Sequence, residues 1–286
     1  MVKTNRYSEY DTWAWLYNHT MGPQYGLEQL KPVELMLLPH LPADADLLDL
    51  CCGTGNLMQA LLHKGYRVAG LDGSAAMLDY ARDNAPQGEY ILGDARNFNL
   101  PERFDGVVSS SASLNHILSI DELNRVFSSV YNALKPNGLF MFDLNHAGQM
   151  GKWWNSQITE GEIENELAWY ITPNYNSTDR MGNFEVTMYQ APTQVRRKGG
   201  LKKLLYKLLS LRLLTRFRLN VLSNFQQWEN WQRSDITYDV RGYYPEEVKA
   251  ALEEVGFTQV QIKTIDGKTE LDNNHSAYFI CQKAKI

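Results

Sequence analysis

Cysteine is scarce: there are three in 286 residues, two of them adjacent at positions 51 and 52. So few thiols exclude a disulfide framework, and without Cys-x-x-Cys or Cys/His spacing no metal site is expected. The adjacent pair, Cys51 and Cys52, reads as small buried side chains. Long apolar runs are also missing, so no segment is expected to span a bilayer. The N-terminal MVKTNRYSEYDTW lacks the apolar core of a secretory leader, and a cytoplasmic protein is expected. Acid is absent from one stretch only. Between Arg196 and Asn220 lie nine basic residues and no carboxylate, which leaves 19 basic against 33 acidic residues, a net −14, for the rest of a chain whose total is −5. Most of the molecule should therefore repel polyanions, and any attraction to them belongs to 196–220. With 44% hydrophobic residues the chain has material for one large core, or a core with an insertion.

What is present centres on Leu47 to Asp72. Leu47, Leu48, Asp49 and Leu50 make a short apolar run that ends at the small-residue turn Gly53-Thr54-Gly55. Leu57, Met58, Leu61 and Leu62 then recur at helical spacing, and Tyr66 to Leu71 form a second strand closed by Asp72. This is a β-α-β unit. Glycines 53 and 55 let a ligand approach the backbone, and the helix N-terminus favours an anionic group. An acid about twenty residues on suits a ribose. A dinucleotide would fit so far, but Met58 stands where that fingerprint wants a third small residue, and Asp49 places a carboxylate within the strand.

At these residues the stretch resembles the first motif, D-L-x-C/G-G-T-G, of the class I S-adenosylmethionine-dependent methyltransferases, of the small-molecule, methyltransferase domain 25-like type. The resemblance implies an α/β fold: a Rossmann-like, doubly wound seven-stranded sheet with an antiparallel β insertion, a lid, after the fifth strand. It implies S-adenosyl-L-methionine as cofactor. Asp49 would lie near the amino group of the methionine part. Cys51, Gly53, Thr54, Gly55 and Asn56 would pass beneath methionine and ribose, and Asp72 with Gly73 would hold the ribose. Gly93-Asp94-Ala95 matches the adenine site, where the carboxylate accepts from the exocyclic amine. Met77 either covers an adenine face or packs in the core.

In chain order, residues 1–41 carry Tyr7, Tyr10, Trp13, Tyr17 and other rings, with Tyr10, Trp13 and Tyr17 on one helical face. That face packs onto the domain or, as relatives imply, forms a helical lid in which Tyr10-Asp11 covers the methyl donor and Tyr7 or Tyr17 reaches its carboxylate. Strands are expected at 89–92, 104–111 and 139–143, with helices after Asp72 and from Asp121 to Leu134. Ligands of open α/β sheets sit beyond the carboxyl ends of strands. Ser111 to His116 should thus face the transferable methyl, with Ser113 on the substrate side. His116 is the candidate base beside Tyr10 and Asn115, or a histidine that only supports its neighbours. Asp143, Asn145, His146, Arg241 and Tyr243 are further substrate candidates, and Arg241 would suit a carboxylate or phosphate.

Residues 42–146 and 244–286 read as the methyltransferase core and 147–243 as the inserted β lid, with strands near 167–171, 183–189 and 235–240. Within it, LKKLLYKLL at 201–209 places leucines 201, 204, 205 and 208 on one helical face and lysines on the other, whereas Thr215 to Val221 alternate in the strand manner. The leucines pack the helix with lysines in solvent, or the basic segment 196–220 makes a peripheral membrane contact on anionic lipid, or it meets another polyanion.

The expected activity is methyl transfer to an oxygen or nitrogen of a small-molecule or lipid-like acceptor. The absence of an Asp/Asn-Pro-Pro-aromatic tetrad argues against amino-methylation of DNA bases and that of a Pro-Cys after the fourth strand against attack at pyrimidine carbon 5, leaving tRNA reachable only through the basic segment. A non-catalytic cofactor-binding protein docked on a membrane or partner is the alternative of another class, and a nucleotide-linked oxidoreductase is disfavoured by Met58. Nothing calls for an obligate protein partner.

Overall fold

The computed structural model describes residues 8–164, 166–192 and 200–285. It divides into two compact units, Met1–Gln149 with Tyr243–Ile286, and Met150–Gly242. The division falls at 150 and 242 where the sequence suggested 147 and 243. Tyr7, Arg196, Arg197 and Lys198 lie outside the described residues.

The first unit is built on a seven-stranded sheet. Its strands are β1 (Asp46–Leu50), β2 (Arg67–Asp72), β3 (Glu89–Leu92), β4 (Phe104–Ser109), β5 (Leu134–Leu144), and, late in the chain, β10 (Phe257–Lys263) and β11 (Ala277–Lys283). The spatial order is β10-β11-β5-β4-β1-β2-β3. β1 to β5 pair in parallel, and β11 enters antiparallel against β5 and β10. The expected Rossmann-like α/β architecture is thus the one observed, and it puts the ends of β1, β2, β4 and β5 on one edge.

Local chemistry explains the helices between them. Helix α6 (Ile120–Ala133) starts where Ser119 Oγ accepts from the Glu122 N–H, with Asp121 and Glu122 in its first turn. Leu123, Val126, Phe127 and Val130, spaced three and four apart, are buried. Phe127 meets Phe142, which stacks on Phe279 at 4.9 Å between centroids. Each such ring contributes about 1.5–3 kcal/mol by leaving water. Near the start of β5, directly after α6, Asn137 has φ 64°, a left-handed conformation that Asn tolerates in place of glycine.

Met58 of helix α4 (Asn56–His63) is fully buried. It fits because a Cβ on Gly70 would stand 2.9 Å from its sulfur and one on Gly88 2.0 Å from its methyl. The bulk that breaks the dinucleotide pattern on the helix is thus accommodated by glycines on and beyond the neighbouring strand.

The second unit holds a four-stranded antiparallel sheet, β6 (Glu160–Ile163), β7 (Leu167–Asn176), β8 (Met181–Gln190) and β9 (Gln232–Arg241), paired in chain order. Tyr170, Tyr189, Leu222, Phe225 and Trp231 form its core. Two expectations are corrected here. Thr215–Ser223 is a helix (α9), because Arg218 and Leu222, four apart, are buried together and Arg218 Nη1 donates to the Leu209 carbonyl at the end of helix α8 (Gly200–Leu209). In α8 the leucines do not pack: Leu204, Leu205 and Leu208 face solvent, while Tyr206 and Leu209 turn inward. The Tyr206 hydroxyl, bonded to Glu229 Oε1 at 2.6 Å, anchors the helix in that orientation.

Candidate functional site

A small cleft opens at the end of β1, lined by Tyr17, Asp49, Cys51, Gly53, Thr54, Asn56, Ser111 and Ser113 among others. All eight were expected on the sequence. The cleft exists because the chain leaves β1 through Cys51 and Gly53 at positive φ, with both Cys51 and Cys52 N–H groups donating to the Leu71 carbonyl. Burial raises both thiols well above their ordinary pKa, so they remain protonated and inert.

Asp72 fastens that turn. Its Oδ2 accepts from the Gly53 N–H and its Oδ1 from the Ser74 N–H, both at 2.9 Å. Burial raises its pKa, while the N–H groups of Ser74, Gly53 and Gly73 act in the opposite direction. Asp49 is different. It is buried, and its Oδ2 has no hydrogen-bond partner among the described residues. Burial first, and then the charge of Asp72, push its pKa up to about 8. An orphaned buried carboxyl beside an open cleft fits a cationic amino group, which would satisfy it and restore its charge.

The sequence reading missed Gly22 and Gly26 of helix α3 (Met21–Met36), which line the same cleft. A Cβ on Gly26 would lie 2.5 Å from Asn56 Cβ, and one on Gly22 would lie 2.9 Å from Thr54 Oγ1. Their four-residue spacing, one helical turn, was the available signal.

Other expected cofactor residues lie away from this cleft. Gly55 is left-handed and packs α4 closely on Ala81. Met77 and Ala95 are buried, and neither lines the cleft. Gly93 donates its N–H to the Asp72 carbonyl. Asp94 is engaged by Arg96, Nη2 to Oδ2 at 2.7 Å and Nε to Oδ1 at 3.0 Å, and Arg96 also reaches Glu122 Oε1.

Around the end of β4 the backbone is strained, with Ser111 and Ala112 both left-handed. Asp143 holds this corner, its Oδ2 accepting from the Ala112 N–H at 3.1 Å; burial pushes its pKa up to about 7. Asn115, expected in catalysis, is instead a brace. Its Oδ1 accepts from the Asn145 N–H and its Nδ2 donates to the Asn145 carbonyl, both at 2.9 Å; Asn115 itself is buried. Asn145 also accepts from Ser276. Tyr243 and His146, expected at the substrate, are buried: the Tyr243 hydroxyl donates to the Ile117 carbonyl, and His146 Nε2 meets the Asp272 carbonyl at 3.0 Å. The Asn115–Asn145 pair and Tyr243 thus brace the 111–117 corner. Arg241 ends β9 in the second unit, paired with Met181 across the ladder.

His116 is half-buried, and its Nε2 stands 2.6 Å from the Tyr10 hydroxyl. Tyr10 is placed by helix α1 (Ser8–Asp11), whose Asp11 accepts from Ser74 Oγ and the Ala76 N–H at the start of helix α5 (Ala75–Asn84). Trp13 and Tyr17 continue the ring contacts from Tyr10 to Tyr25. Among the described residues no group of His, Cys, Asp or Glu could hold a metal ion.

With this geometry in view, comparisons with known proteins agree. The family model described as Methyltransferase domain matches residues 47–138. A putative methyltransferase, YqeM of Bacillus subtilis, is 36% identical over 145 residues, 49% of this chain and 58% of that protein. A dTDP-3-amino-3,4,6-trideoxy-alpha-D-glucopyranose N,N-dimethyltransferase of Streptomyces venezuelae is 31% identical over 133 residues, 46% of this chain and 52% of that one. The chain thus spans about half the length of the curated relatives it matches. A crystal structure of an S-adenosylmethionine-dependent methyltransferase from Clostridium acetobutylicum superposes with a TM-score of 0.68 over 96% of this chain and 99% of that one, at 20% identity, a likeness of fold.

Proposed function

We propose, from the premise that residues 47–138 are a class I S-adenosylmethionine-dependent methyltransferase domain, that the protein methylates an amine or hydroxyl of a small, sugar-like acceptor. One observation carries the reading: the orphaned Asp49 oxygen facing a glycine-lined cleft whose turn Asp72 already holds. Aminosugar N,N-dimethyltransferases among the relatives support the acceptor class.

When bound, S-adenosylmethionine supplies a sulfonium methyl electrophilic enough that alignment and dryness give most of the rate. The chain's own residues do the rest. Asp49 would receive the ammonium of the amino acid end, and Gly53 and Thr54, which line the cleft, would give it close backbone approach. Tyr17 lines the cleft, and Trp13 and Tyr10 continue its ring contacts outward; in this reading the three rings act as a lid that excludes water. An attacking hydroxyl must give up its proton to a base as the new bond forms, whereas an amine need only arrive unprotonated and sheds its proton after transfer. Tyr10 and His116 form the route for it, the hydroxyl passing a proton to His116 Nε2. Asp143 and Asn115 position the corner that carries His116.

Isothermal titration with S-adenosylhomocysteine and with NAD tests the cofactor. Micromolar affinity for the first alone is expected, and none for it would overturn the reading. Turnover on dTDP-aminosugars against small carboxylates tests the acceptor class.

A further inference from the structure

Helix α8, the turn after it and the start of α9 present an apolar surface with no covering element among the described residues. Leu204, Leu205, Leu208 and Leu211 are about half exposed, Phe217 is 57% exposed and Leu213 96%. Single exposed leucines need no explanation, but six large apolar side chains within fourteen residues do. The helix is held from its other side by Tyr206 and Leu209, so this exposure follows from how α8 is anchored. Lys207 and Arg216 stand exposed among these residues, and the sequence adds Lys202, Lys203 and Arg212 to the same stretch, which holds no acid.

We propose that this face docks on a bilayer surface carrying anionic lipid, seating its leucines and Phe217 at the acyl boundary and its cations among the phosphates. The charge distribution selects this occupant. A second copy of the chain would bring two cationic faces together, which like charges oppose. A nucleic acid would meet the cations but leave the leucines in water. An anionic bilayer satisfies both halves at once. Among the described residues no helix is long and apolar enough to cross a membrane, so the contact is peripheral. The remainder of the chain carries −14, so the attraction to an anionic surface belongs to this segment alone.

Flotation of the full chain with vesicles tests this. Vesicles of phosphatidylcholine with about one third phosphatidylglycerol should carry the protein, and phosphatidylcholine alone should not. Leu213→Asp and Leu208→Asp should each weaken binding roughly tenfold or more, and Lys207→Glu by at least about fivefold. Because these side chains are exposed, the variants should melt with the wild type and bind S-adenosylhomocysteine unchanged. The proposal is overturned if anionic vesicles leave the protein behind, or if both leucine variants float as wild type does. Dimerisation in light scattering that Leu213→Asp abolishes, without vesicle binding, would assign the face to a second copy. Binding of single-stranded RNA that survives the leucine variants but not Lys207→Glu, again without vesicle binding, would assign it to a polyanion. Either result would overturn the lipid assignment.

Discussion

The Tyr10 hydroxyl and His116 Nε2 lie 2.6 Å apart across 106 residues of chain, with their rings edge to face at 5.4 Å. The pair links the N-terminal helices to the corner after β4, and each partner is fixed independently: Tyr10 through Asp11 on the start of α5, His116 through the Asn115–Asn145 amide pair.

If the pair moves the acceptor's proton, His116→Ala should lower the methyl-transfer rate by about 10²–10⁴. Tyr10→Phe should cost less, because the histidine remains. Affinity for S-adenosylhomocysteine should stay within a few-fold in both. Single-turnover rates beside titrations check this, and unchanged rates would leave the pair a structural latch.

Asp49 gives a pH dependence with a definite sign. Its pKa in the folded protein is about 8, above its unfolded value near 4. Pairing with an ammonium below pH 8 must therefore expel a proton. Affinity for S-adenosylhomocysteine should rise from pH 6 to 8, by up to about tenfold per unit, and level off above. For the ligand-free protein the sign is opposite. The preference for a neutral carboxyl is fully present below pH 4 and is lost as pH rises through 8. Asp49→Asn should flatten the affinity profile, and its melting temperature should fall less between pH 5 and 8 than that of the wild type.

Gly26 is a steric test of the cleft. A methyl there meets Asn56 Cβ at 2.5 Å, so Gly26→Ala must push α3 from the cofactor turn. Overpacking of this kind costs about 1–3 kcal/mol, about 2–6 °C in melting temperature for a chain of this size, and cofactor affinity should drop with it. Gly151→Ala, whose Cβ would find its nearest neighbour at 3.9 Å, is the control and should be neutral or stabilising.

The central β-α-β unit was legible in the sequence because strand, glycine turn, helix and acid carry their signals within 26 residues. The seven-stranded doubly wound sheet and the cofactor class were expected through the resemblance that this unit carries. What escaped depended on partners far away in sequence. Gly22 and Gly26 gain meaning only once Asn56 is seen against them, and Asn115 looks like a ligand until Asn145 is found to take both ends of its amide. The periodicity of α8 fixed which residues share a face but not which face turns inward; that was decided by Tyr206 reaching Glu229. Residues 215–221 were too few for alternation to exclude a helix, and buried Arg218 at the end of α8 settled it.

Asp94 raises a last test, because the carboxylate expected to read the adenine amine is already forked by Arg96. A carboxylate has about four acceptor positions, so an amine can still be received, but from an oxygen whose charge the guanidinium has partly neutralised. Partly exposed pairs of this kind are worth at most about 1 kcal/mol. Arg96→Leu should therefore tighten S-adenosylhomocysteine binding by no more than about fivefold, while Asp94→Ala should weaken it by about tenfold. S-inosylhomocysteine, which lacks the exocyclic amine, should be insensitive to both substitutions. Weaker binding of the adenine compound by Arg96→Leu would mean that Arg96 orients the carboxylate toward the ligand, reversing its role from competitor to support.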